Sequence, residues 1–214
     1  MHIHIPDGVL PVWLWLSGYG ISLGLLLLLS FKLKNDWKSL PKVSMISALM
    51  LISMSIPLGI PTHINLSTLS GILLGPYWSL VSSFVVNLLL ASMGHGGITI
   101  VGLNTIVVWS EALASYFLFS FFKKLMKNYF VISSISSFIA LTLSIGLVVS
   151  IVAISNVNPA EFLHHHVHQT KERISVITFA SIVTPIGLYG AFIESIITGM
   201  IVSYIRRTKP NLLP

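Results

Sequence analysis

Residues 12–31 read VWLWLSGYGISLGLLLLLSF, an uncharged stretch followed directly by Lys32, Lys34, Lys38 and Lys42. An apolar run of about 20 residues is what a helix needs to cross the hydrocarbon of a bilayer. Lysines clustered at its end fix which side that end occupies. Working outward, the same alternation of apolar run and short basic cluster continues along the chain. It predicts membrane segments at 12–31, 43–58, 62–75, 77–92, 102–122, 129–155 and 175–205, with a break expected at Thr184-Pro185 in the last. The segment 62–75 is short and interrupted, with His63, Asn65, Ser67, Thr68, Ser70, Gly71 and the Gly75-Pro76 pair. Irregular backbone at membrane depth is tolerated only where protein covers it or a cavity lies beside it. The expected fold is an all-α, polytopic membrane bundle of about seven segments, one domain over residues 1–214, placed in the cell membrane.

Composition agrees. The chain is 54% hydrophobic and 8% charged, with a mean hydropathy of +0.90, whereas soluble domains carry roughly 25% charged residues. The formal charge of +6 does not point to nucleic acid, because the basic residues sit between apolar runs, where they set topology. Cysteine is absent, which excludes disulfides and thiolate metal sites. Residues 1–10 lack the positive n-region of a signal peptide, so the amino terminus is expected to stay as written.

Ten of the twelve lysines and arginines lie at 32–42, at 123–127 and after Ile205. Seven crossings put all three clusters on one side, which the positive-inside rule assigns to the cytoplasm. The amino terminus is then outside and the carboxyl terminus inside. Lys171 and Arg173 are the exceptions, and they share a loop with Glu161 and Glu172. On this topology all eight histidines fall on or near the outer side: His2, His4, His63, His95, His164, His165, His166, His168 and none on the basic side. Histidine is the commonest metal ligand, so an outward-facing metal-capturing site accounts for the asymmetry.

The first eight residues, Met1-His2-Ile3-His4-Ile5-Pro6-Asp7-Gly8, suit that role. The amine of Met1, the amide nitrogen of His2 and the imidazole of His2 can close two fused chelate rings on one ion. Nickel, copper and cobalt suit nitrogen sites, and square-planar nitrogen coordination points to nickel or copper. Such binding displaces protons, so affinity should fall in acid.

Other chemistries are disfavoured. No G-x-x-x-x-G-K-[ST] loop and no H-E-x-x-H occurs, so nucleotide binding of that type and zinc proteolysis lack their signatures. The G-x-S-x-G match at Gly20–Gly24 lies inside the uncharged run 12–31, not at the strand-to-helix turn that a serine hydrolase needs. The chain is expected not to be an enzyme. A self-sufficient secondary carrier or channel for metal is the alternative. It would need ionisable relays through the membrane, and the inner half has neither histidine nor a clear carboxylate series.

Several of these stretches together resemble the CbiM/NikM family, the substrate-capture membrane (S) subunits of energy-coupling-factor (ECF) transporters for cobalt and nickel. The resemblance lies in His4-Ile5-Pro6-Asp7-Gly8, Thr62-His63, Leu74-Gly75-Pro76 and Gly94-His95-Gly96-Gly97-Ile98-Thr99. It continues in Gly102, Asn104, Glu194, Ser195 and Thr198, and so runs from end to end. It implies an extra amino-terminal helix and a free amino end folded into the bundle. The implied metal ligands, carried over by position, are Met1, His2 and His63. Family members open Met-His-Ile-Pro-Asp-Gly. Here two residues are inserted, and alignment on Pro-Asp-Gly brings His4 to the family's position. Only His2 adjoins the free amine, so His2 is the expected chelator, with His4 as a fifth or substitute ligand. The resemblance also implies Co2+ or Ni2+ as cargo and a transmembrane coupling (T) subunit and ATP-binding (A) subunits as partners. A small CbiN/NikN-like membrane subunit belongs with these.

His95 is a further candidate ligand. Thr62, Asn65 and Asn104 are candidates to orient imidazoles by hydrogen bonding. His164, His165, His166 and His168 are candidates to gather metal at the mouth. Glu111 and Glu194 are acids within expected spans and should face the bundle interior, not the metal. Gly20 with Gly24, and Ser44 with Ala48, have the small-xxx-small spacing of close helix packing.

Overall fold

The structure, a computed structural model, describes residues 7–56, 63–159 and 175–213. Six helices run through it: α1 (Val12–Leu33), α2 (Leu40–Ser55), α3 (Ser67–Ser92), α4 (Val101–Leu125), α5 (Tyr129–Ser155) and α6 (Val176–Thr208). All but α2 are long and apolar enough to cross a membrane. The chain is an all-helical polytopic membrane bundle. Its outward faces remain apolar: Trp13, Leu16, Leu27, Leu28 and Phe31 of α1 are exposed, as suits contact with acyl chains.

The expected segments map onto these helices with three differences. α2 begins at Leu40, with Pro41 in its first turn where a missing N–H costs nothing. Its expected end at 57–58 lies outside the described residues. Pro185 does not break α6, which continues to Thr208. Proline removes one backbone bond, and neighbouring helices and side chains can re-satisfy the freed group. Finally, 62–75 and 77–92 are joined in α3, with non-helical backbone at Gly75 (φ 75°, ψ −179°). Only glycine adopts that region readily.

Gly75 reverses the chain. A straight 26-residue helix would hold its ends about 39 Å apart. Yet the rings of His63, before α3, and His95, after it, are 6.3 Å apart. The turn of α3 meanwhile reaches the opposite end of the bundle, where the Trp78 indole donates to Asp36 (2.8 Å) and Lys32 donates to the Tyr77 hydroxyl (3.3 Å). The first arm, 67–74, therefore enters and the second, 76–92, returns.

The first arm sits at the centre of the bundle. Residues 65–73 are all buried, and a helix buried all round belongs in a core. Its small polar residues permit close approach. A Cβ added to Gly71 would lie 2.0 Å from the Ala112 carbonyl oxygen of α4. Thr68 meets Thr198 of α6 hydroxyl to hydroxyl at 3.3 Å. Small residues bring α1 and α4 together as well, but at Gly18 and Gly102: a Cβ on Gly102 would meet the Tyr19 nitrogen at 2.5 Å. Gly20 and Gly24 have nothing within 4 Å, and Ser44 and Ala48 are exposed. Among the described residues their spacing therefore makes no close helix contact.

Candidate metal centre

His63 stands where the short strap 63–66 descends into the bundle. Its Nδ1 donates to the Ile56 carbonyl at 3.3 Å. A backbone carbonyl beside a ring nitrogen is a partner that orients an imidazole. His95 faces it edge to face, at an interplanar angle of 76°. Two glycines with positive φ, Gly94 (80°) and Gly96 (88°), bend the chain around His95. Its backbone N–H caps α3 at the Leu90 carbonyl (2.9 Å).

Below His63, Asn65 is engaged by two carboxylates. Its Nδ2 donates to Glu111 Oε2 at 2.6 Å, and its backbone N–H donates to Glu194 Oε2 at 3.3 Å. Its Oδ1 accepts the Ser67 N–H at 3.0 Å, satisfying one of the free amides at the start of α3. Leu66 between them is left-handed (φ 53°), a conformation uncommon for a branched residue. Glu111 also accepts the hydroxyl of Ser67 and, through Oε1, that of Ser144 of α5 at 2.6 Å. Both carboxylates are fully buried, and face inward as expected of intramembrane acids. The side chain of Asn65 ties the strap to α4 through the Glu111 carboxylate. Asn104 is buried in the first turn of α4.

A link that the sequence reading missed anchors the amino-terminal segment. The Asp7 carboxylate accepts from Ile98 N (3.0 Å), Thr99 N (2.9 Å) and Thr99 Oγ1 (2.6 Å). Gly97 makes room, since a Cβ there would lie 2.2 Å from Asp7 Oδ1. The Thr99 hydroxyl, with the Thr99 and Ile98 amides, holds the Asp7 carboxyl below its ordinary range against an opposing effect of desolvation. Tyr19 donates to the Ile98 carbonyl, and Leu10 packs with Ile100, Leu103 and Phe179. The signal was present as Pro6-Asp7-Gly8 and Gly97-Ile98-Thr99. Nothing in either stretch says that they meet across ninety residues of chain.

The structure thus joins His63 to His95, and Asn65 to Glu111 and Glu194. Met1, His2, His4, Thr62, His164, His165, His166 and His168 lie outside the described residues. Among the described residues no three His, Asp or Glu side chains gather as a metal site.

Helices long and apolar enough to cross a bilayer, packed around a polar, inward-folded strap, define the class as a polytopic membrane protein. The family model for the cobalt uptake substrate-specific transmembrane region, CbiM, matches residues 4–212, and the chain belongs to that family. It is accordingly a substrate-specific membrane component of cobalt uptake, a transport subunit by family. Two crystal structures share the fold. A truncated transition metal transporter superposes with a TM-score of 0.81 at 20% identity, over 96% of this chain and 99% of that one. A transition metal transporter superposes at 0.80 and 20% identity, over 96% and 93%. Among curated protein sequences, none matches the chain.

Proposed function

We propose that this chain is the S subunit of an ATP-driven ECF importer of cobalt or nickel in the cell membrane. It captures the ion from outside through the Met1 amine, the His2 amide and imidazole, and the His63 imidazole. The observation that carries this reading is the convergence of two anchors at one end of the bundle. Asp7 is fastened to residues 98–99, just past His95, and His95 lies against His63. Six residues precede Asp7, and six extended residues reach about 20 Å. The amino terminus is thus within reach of His63. His4 and His95 are the substitute ligands, and Thr62, Asn65 and Asn104 position the strap and the rings. The loop of His164, His165, His166 and His168 gathers metal at the mouth.

The topology belongs to the same proposal. Seven crossings, with the two arms of α3 counted apart, leave the amino terminus outside and the carboxyl terminus inside. The contacts support it: Lys32 and Lys42 meet Tyr77 and Leu212 at one end, while His63 and His95 meet at the other. ATP hydrolysis falls to the A subunits, coupled through a T subunit and a small CbiN/NikN-like membrane subunit.

Binding of Co2+ and Ni2+ by the purified chain tests the ligand set. Acetylation of the Met1 amine and, separately, His63→Ala should each lower affinity at least a hundredfold. Full retention in the acetylated protein would refute the chelate.

A further inference from the structure

We propose that the basic end of the bundle binds one anionic phospholipid. Its phosphate sits between Lys32 and Lys42, and one acyl chain lies along α1. Here the end of α1, the start of α2, the turn of α3 and the carboxyl-terminal tail enclose a chamber of about 640 Å³. Its walls include Lys32, Asp36, Lys42, Tyr77, Trp78 and Leu212.

Among the described residues, the hydrogen-bond partners of the two lysines are uncharged. Lys42 is half-buried, and its ammonium donates to the Leu212 carbonyl at 2.8 Å. Burial pulls its pKa below the ordinary lysine value. Lys32 is exposed. Its Nζ reaches the Tyr77 hydroxyl and lies 5.0 Å from the centre of that ring. The one acid of the lining, Asp36, keeps its negative charge and turns Oδ2 to Ser39 Oγ (2.7 Å) and Trp78 Nε1 (2.8 Å), so the two lysines outnumber it. Two ammonium groups with neutral partners, at the end of a membrane bundle, suit a phosphate. Basic pockets between helices on that side are where anionic headgroups bind.

A second cavity says what carries the phosphate. An apolar groove of about 290 Å³ runs along α1 past Leu26, Ser30, Leu33, Trp37 and Val81. It shares Leu33, Asp36 and Trp78 with the polar chamber. A charged chamber opening onto an apolar groove has the polarity of a headgroup joined to an acyl chain. A soluble anion would leave the groove unused. Trp78 stands where the two parts meet, a position that indole rings favour at a membrane interface.

The test uses the full chain exchanged into an equal mixture of phosphatidylglycerol and phosphatidylcholine, with retained lipid counted by native mass spectrometry. The wild type should retain phosphatidylglycerol at least fivefold over phosphatidylcholine. Lys32→Met with Lys42→Met should bring the ratio to parity, and Lys124→Met with Lys127→Met should leave it unchanged. Val81→Trp, which fills the groove and keeps both lysines, should also lose the preference. Parity in the wild type, or an undiminished preference in the Lys32/Lys42 variant, would overturn the proposal. So would stabilisation of the wild type by glycerol phosphate equal to that by phosphatidylglycerol, an arm that needs no variant and would assign the chamber to a soluble anion.

Discussion

At the scale of single residues, the decisive feature is that backbone groups help to hold both His63 and Asp7, the latter together with the Thr99 hydroxyl. Ile56 offers a carbonyl to His63, and residues 98 and 99 offer amides to Asp7. Asp7 has a lowered folded pKa, so its anchoring is fully present above the ordinary value of 3.8 and is lost as pH falls through the lower folded value. Metal binding needs unprotonated imidazole, whose ordinary pKa is about 6.5, and should fail first. Asp7→Asn should therefore weaken cobalt binding about tenfold at pH 7.5, in the range of losses seen when a ligand's supporting shell is removed. The midpoint of the acid loss, measured by titration calorimetry across pH, should not move. Glu111→Gln should act differently. It sets an amide donor among the Asn65, Ser67 and Ser144 donors. About 1–3 kcal/mol of stability should be lost for a buried group left unsatisfied, seen as a lower melting temperature, with weaker cobalt binding as the strap loosens. His63 was legible from its setting in a broken segment. The direction of Asn65 was not, because the sequence does not say which acid of another helix will lie beneath it.

At the scale of elements, the sequence spoke most plainly through its apolar runs, which located α1, α4, α5 and α6 within a few residues. It marked Gly75-Pro76 as a break. The reversal there depends on contacts of His63 with His95 and of Trp78 with Asp36, which no local pattern encodes. Small-residue spacing, which fits packing within the chain or against a partner, did not locate the contact made within the chain, for a related reason. Gly20 and Gly24 fit the pattern, yet Gly18 makes the close contact, because helix rotation is set by the whole interface. Gly75→Ala should cost about 1–3 kcal/mol, the usual strain of a side chain in that backbone region. Gly20→Ala, on an open helix face, should be neutral or slightly stabilising. Thermal unfolding of the two variants in detergent separates them: equal melting temperatures would mean that the turn at Gly75 carries no special demand.

At the scale of the whole molecule, charge and histidine divide the bundle into two ends, and the first arm of α3 links them. Above it stand His63 and His95; below it lies the basic chamber. The chain belongs to the cobalt uptake family, and on the proposed reading the cargo is met at the histidine end. The division was legible, since lysines and histidines alternate along the sequence by loop. The fastening of the amino-terminal segment by Asp7 was not. The claim on which the rest depends is that one metal ion is shared between that segment and His63. Anomalous scattering from a crystal soaked in cobalt addresses it directly. The expected result is a single strong peak within about 2.1 Å of His63 Nε2, a normal metal–imidazole distance, and at similar distance from the Met1 amine. A peak away from His63, or one bound only by the 164–168 histidines, would contradict it.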